Sequence, residues 1–198
     1  LAAGEYTVRA AYNPLGEEYR SGDEPAVTSV KLTVSRKTPS ISHVSGDAKN
    51  YDGNPISAPT FDTDSDSTPT VEYKPADADD SAYTAAAPKN VGKYTIRITT
   101  AETDTFKAAF STMAFEIKPR EVTISGVTAG GKTYDGNAKA KITAAGVIDG
   151  LVDGDKVDIV TGKALYNDKN VGNGKTVTFY DFALSGEDAA NYVMSAQP

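Results

Sequence analysis

Two groups of residues carry the chemistry this chain could do: a run of alternating carboxylates and a tyrosine-bearing turn that occurs twice. Asp62, Asp64 and Asp66 are separated by Thr63 and Ser65, a spacing from which a bent loop can offer oxygen ligands to a hard cation such as calcium. The run departs from the EF-hand pattern. Its sixth position is Ser67 where that loop needs Gly, and its twelfth is Tyr73 where it needs a bidentate Glu. Asp62, Asp64 and Asp66 therefore stand as calcium candidates against the plainer reading of a solvated acidic loop, which extends to Asp77, Asp79 and Asp80. No resident metal or cofactor is expected.

The rest of the catalytic repertoire is thin. The chain has no Cys and a single His, which removes disulfides, thiolate nucleophiles and multi-His metal sites. That histidine, His43 in Ile41-Ser42-His43-Val44, sits in no sequence pattern that marks a Ser-His-Asp triad, so a packing or surface role is expected. Asp153-Gly154-Asp155 and Gly130-Gly131 head no Gly-rich loop running from strand into helix, so neither reads as a phosphate cradle. An enzyme is not expected.

The turn is more specific. Tyr51-Asp52-Gly53-Asn54 recurs as Tyr134-Asp135-Gly136-Asn137. Asp and Gly supply the turn, while Tyr can bury its ring and keep its hydroxyl bonded to nearby polar groups. Tyr51, Asp52, Gly53, Tyr134, Asp135 and Gly136 are read as structural latches at a strand-turn corner rather than as ligand-stacking groups, because ligand sites favour variable loops over repeated scaffold. Tyr94, after Asn90-Val91-Gly92, is similar to the tyrosine corner of immunoglobulin-like sandwiches and is read as structural too.

The elements that position these turns are repeated as well. From Tyr51 to Tyr134 and from Val34 to Ile117 the offset is the same 83 residues. Gly4-Glu5-Tyr6-Thr7-Val8 likewise finds a copy in Gly92-Lys93-Tyr94-Thr95-Ile96, with the loop lengths between varying. The chain divides on this basis into residues 1–36, the end of one repeat, 37–118, a whole repeat, and 119–198, a repeat that stops before its last strand. Polarity alternates with period two in Tyr6–Ala10, Val30–Val34, Lys93–Thr99, Ala114–Ile117, Val157–Val160 and Thr176–Phe179, which predicts half-buried strands. Thr105–Phe110 and Glu187–Asn191 are the only stretches with the look of a helical turn. The fold expected is all-β, small immunoglobulin-like β-sandwich modules in an elongated tandem array. The alternative is α+β β-grasp-like modules, should either turn be a real helix. Junctions through Pro39 and Pro119 leave few free torsions between repeats.

In 198 residues there are 20 Lys and Arg against 27 Asp and Glu, a net charge of −7. Such a balance repels phosphate backbones, so nucleic acid is a poor partner. No run approaches the roughly 18 apolar residues of a membrane span.

Residues 119–198 resemble a known family. Lys132-Thr133-Tyr134-Asp135-Gly136-Asn137, Val152-Asp153-Gly154-Asp155, Asp168-Lys169-Asn170-Val171-Gly172 and Leu184-Ser185-Gly186-Glu187-Asp188-Ala189-Ala190-Asn191-Tyr192 follow in the order seen in the YDG repeat domain of bacterial surface proteins. The middle repeat resembles the related MBG repeats more loosely. The resemblance implies non-catalytic tandem modules that act as stalk or spacer in secreted or surface-anchored adhesin-like proteins, outside the bacterial cell and monomeric within a longer chain. A module binding a host or glycan ligand through its acidic loops is the second expectation.

Overall fold

Alternating polarity becomes strand wherever the sequence predicts it. The computed structural model describes residues 2–11, 27–46 and 48–198. The first half contains β1 (Gly4–Ala11), β2 (Val27–Val34), β3 (Ile41–Ser45), β4 (Lys49–Asn50), β5 (Thr60–Thr63), β6 (Thr70–Pro75), β7 (Gly92–Thr100) and β8 (Ala109–Lys118). The second contains β9 (Arg120–Ser125), β10 (Thr128–Gly130), β11 (Lys139–Ala144), β12 (Val147–Asp149), β13 (Asp158–Val160), β14 (Lys163–Tyr166), β15 (Val177–Tyr180), β16 (Ala183–Ser185) and β17 (Tyr192–Met194). All six period-two segments fall within or across these strands.

The described residues are all-β, arranged in several small sheets. Their helical content is two single 3-10 turns, Asp80–Ala82 and Ala189–Asn191. One of the two segments expected to turn helically therefore does so for three residues, and the other does not. Phe106 in Thr105–Phe110 makes a parallel bridge to Lys37 instead, and Ala109 and Phe110 already belong to β8. The α+β alternative falls with it.

The chain forms two compact units. One comprises Leu1–Ser45, Thr60–Val71 and Arg97–Thr112, and the other Gly46–Pro59, Glu72–Ile96 and Met113–Pro198. In the first unit β1 and β2 pair antiparallel, with Tyr6 opposite Leu32 and Val8 opposite Val30. β3 pairs with β5, and the segment before it is pinned by backbone bonds from Lys37 N to Thr105 O (2.9 Å) and from Lys107 N to Lys37 O (2.8 Å). Val8, Val30 and Leu32 lie exposed on this two-stranded sheet.

The second unit holds the repeated turns. β4 runs parallel to the end of β8, Lys49 beside Ile117 and Asn50 beside Lys118. Pro119 alone separates β8 from β9, so one extended run crosses the junction. Pro119 can sit there because each flanking strand ends beside it and no ladder hydrogen bond is required of its missing N–H. Beyond it β9 is the middle strand of the sheet β12-β9-β17, antiparallel to β12 and parallel to β17. Four strands, β10-β11-β14-β15, form a second sheet, and β13-β16 a third. The core of this part is small: Val122, Ile124, Ala164, Phe182 and Tyr192 are buried.

Candidate functional site

Each copy of the turn is built the same way. In the first, the Asp52 carboxylate accepts from Asn54 N (2.9 Å), closing a turn that Gly53 completes at φ +79°, a conformation costly for a residue with Cβ. The Lys49 ammonium reaches over it, donating to Asp52 Oδ1 (2.6 Å) and to Asn54 O (2.7 Å). The second copy repeats this. Lys132 donates to Asp135 Oδ1 (2.7 Å) and Asn137 O (2.8 Å), Asn137 N donates to Asp135 (3.2 Å), and Gly136 has φ +80°. The lysine contact, then the turn amide, holds each aspartate below the usual carboxylate range. The sequence singles out Tyr-Asp-Gly-Asn. The lysine two residues before the tyrosine, present in both copies at the same 83-residue offset, is its fifth member.

The tyrosines of the two copies have different surroundings. Tyr51 is 1% exposed. Its backbone N donates to Lys118 O (2.9 Å), its ring meets Tyr192 edge-on at 5.5 Å, and its hydroxyl donates to Asp155 Oδ2 (2.9 Å). The Tyr192 hydroxyl donates to the same oxygen and accepts from Val152 N (3.0 Å). Val152 also closes on the turn itself, since a Cβ built on Gly53 would lie 2.7 Å from Val152 Cγ1. Beside it the Asn191 side chain, also buried, accepts from Val91 N (3.0 Å). The first YDG turn and the Asn90-Val91-Gly92 turn are thus both held by residues between Val152 and Tyr192.

Tyr134 is 60% exposed, and a Cβ on Gly136 would meet nothing within 4 Å. Lys132 and Thr133 belong to no strand. Tyr134 borders an open groove of about 710 Å³ with Lys132, Asn137, Tyr166, Asp168 and Lys175. The Tyr166 hydroxyl donates to Gly130 O, and Lys175 pairs with Asp168, which lies below its ordinary range for that reason.

Tyr94 behaves as a corner. Its hydroxyl donates to Asn90 O (3.0 Å) and its ring stacks on Phe115 at 5.4 Å. Tyr6 makes the same bond to the carbonyl four residues back, Ala2. The acidic loop is engaged elsewhere. Asp62 lies 2.9 Å from His43 Nδ1, and Asp64 is bound by the Lys37 ammonium and by Ser40 N (2.7 Å), which pull it down to about 2. Asp66 joins neither contact, and among the described residues no three metal-ligating side chains converge. The Ser42 hydroxyl also faces His43 Nδ1 (3.4 Å). A triad places nucleophile and carboxylate on opposite ring nitrogens, so this pair on one nitrogen cannot relay a proton.

The residues that sequence reasoning missed are Val152, Asp155, Asn191 and Tyr192. Each lies in a string quoted for the family likeness, yet their pairing with Tyr51 and Val91 spans about a hundred residues and leaves no local signal.

Burial, then the hydrogen bond to Asp155, pushes the Tyr51 hydroxyl up to about 12 from an ordinary 10. Tyr192 shifts upward for the same leading reasons. The folded state keeps protons that the unfolded chain releases, so this stabilisation is complete below pH 10 and is lost as pH rises toward 12. Denaturant midpoints measured between pH 9 and 11.5 should fall more steeply for the native chain than for Tyr51→Phe. Equal slopes would mean that Tyr51 titrates as a free phenol.

All-β in its described residues, with two like turns of which one is clasped by Val152, Asp155 and Tyr192, is the class of protein that fold and site define. A YDG domain is detected at residues 118–198. No curated protein and no solved structure matches the chain.

Proposed function

We propose that the chain is a non-catalytic structural segment, a length of stalk in a secreted or cell-surface adhesin-like protein of bacteria, whose repeats act as spacers. In this reading residues 1–36 end one repeat, 37–118 are an MBG-like repeat, and 119–198 are the YDG repeat without its last strand. The modules are immunoglobulin-like sandwiches set in file, an assignment supported by the corner bond of Tyr94 to Asn90.

The observation that carries the proposal is the clasp on Tyr51. The buried Tyr51, Tyr192 and Asn191 and the half-buried Asp155 are spent joining one repeat to the next, with Pro119 alone between their strands. In a linear array stability comes from each module's core plus its interface with the neighbour. The acidic loops lend less to the alternative of a glycan- or protein-binding module, since Asp62 and Asp64 are already engaged by His43, Lys37 and Ser40, and Asp79 by Ser81 in its own turn.

Small-angle scattering of the isolated chain should give the profile of modules placed end to end, and a glycan array should give no saturable binding. A compact globular profile, or binding abolished by Asp62→Asn or Asp64→Asn, would overturn the proposal.

A further inference from the structure

We infer that the groove at Lys132 and Tyr134 is a docking site for a further module of the same kind. The strand leading into that module, as β8 leads into β9, would lie parallel to Lys132-Thr133, and the module would close its own counterpart of the Val152–Asp155 turn over Tyr134. The inference rests on the structural reading above and deepens it by naming a partner surface.

The first copy of the turn shows what such a site looks like when filled. Lys49-Asn50 is a strand only because β8 runs beside it. Tyr51 is buried because Lys118 O takes its amide proton and Asp155 and Tyr192 take its side chain. Gly53 is covered by Val152. Every element of the second copy that belongs to the turn itself is already in place: the lysine on the carboxylate, the amide on the carboxylate, and the glycine at the same positive φ. The elements that differ are the ones supplied from outside. Tyr134 is exposed, the space over Gly136 is empty, and Lys132-Thr133 belongs to no strand. A tyrosine ring left in water beside a preformed turn, where its duplicate is sealed by a following repeat, fits that same occupant. The fit is specific in chemistry. The turn presents one phenolic donor, which an aspartate can accept, an uncovered glycine face, which a Val methyl can fill, and a Lys132-Thr133 backbone outside any strand, which a parallel strand can ladder.

The test is a chain extended after Pro198 by a second copy of residues 109–198 carrying Tyr134→Phe, so that a whole β8 and its Pro119 junction follow and the only Tyr134 peptide is that of the native repeat. Nitration by tetranitromethane, read by peptide mass spectrometry, measures access to each tyrosine. In the native chain Tyr134 should react and Tyr51 should not. In the extended chain Tyr134 should become protected by about tenfold or more, the protection expected when a site opens only rarely, and Asp155→Ala placed in the second copy alone should restore its reaction. Tyr134 that still reacts at the native rate in a folded extension overturns the inference. So does an appended copy that fails to fold, because the groove is required to receive and order its first strand. Protection of Tyr134 in the native chain by soluble oligosaccharides, with none gained from the extension, would make the groove a ligand site instead. Tyr51 separates this failure from a wider one: if it too reacts freely, the joining of repeats is wrong as a whole.

Discussion

Tyr51→Ala is expected to lower the stability of the unit that contains it by about 3–5 kcal/mol, the usual loss when a buried aromatic ring is truncated. Tyr134→Ala, the same substitution at the same place in the repeated turn, should stay within about 0.5 kcal/mol. The difference follows from surroundings alone, since Tyr51 is 1% exposed and Tyr134 60%. Truncating Tyr51 empties the space against Tyr192 and removes a donor from the Asp155 carboxylate. Tyr51→Phe divides the effect: it keeps the ring and should cost about 1.5–3 kcal/mol, the range for a hydrogen bond to a charged acceptor. In thermal melts Tyr51→Ala should shift the transition by on the order of 10 °C, at about 2–4 °C per kcal/mol for a chain of this size. Similar melting for the Tyr51→Ala and Tyr134→Ala variants would show that the contacts of Tyr51 with Asp155 and Tyr192 do not stabilise the unit.

The second large effect is expected at Gly186, which lies between β16 and the 3-10 turn that leads to Tyr192. Its φ is +112°, and a Cβ there would stand 2.4 Å from Lys156 O. Here the obstacle is backbone, which no rotamer change can move aside. The dihedral alone costs about 1–3 kcal/mol for an alanine, and relief of the overlap must also separate the two loop segments that Asp188 ties together by accepting from Lys156 N (2.9 Å). Because Asp155 adjoins Lys156 and Tyr192 follows the turn, Gly186→Ala should loosen the clasp as well as the domain. Denaturant unfolding should show a loss of at least about 3 kcal/mol, the upper end of that range, and the nitration of Tyr51 should rise with it. A stable variant in which Tyr51 stays protected would mean that this loop adapts without disturbing its neighbours.

Both effects turn on contacts that a sequence shows only in part. The turns were legible because their causes are local: a carboxylate two residues before the amide it accepts, a glycine free to take positive φ, an alternation that can bury one side of a strand. The partner of Tyr51 was not legible. Asp155 is read from sequence as part of an Asp-Gly-Asp turn with no assigned role, and only packing puts it 104 residues away in the chain and 2.9 Å away in space. The helical reading of Thr105–Phe110 failed for a related reason: Lys37 offered Phe106 a bridge, and a non-local ladder outweighs a weak local propensity.

Composition and spacing by themselves determined the β-rich character of this chain, its repeats and the inner construction of each turn, because those depend on interactions among residues a few positions apart. Tertiary structure decided which copy of a repeated pattern is buried. Ile96 and Ile98 in β7 are sealed in a four-stranded sheet, while Val8 in the like-patterned β1 lies exposed on a two-stranded one. Tyr51 is clasped and Tyr134 is open in the same way. Burial belongs to the neighbour that covers a residue, and identical local sequence cannot say whether that neighbour is there.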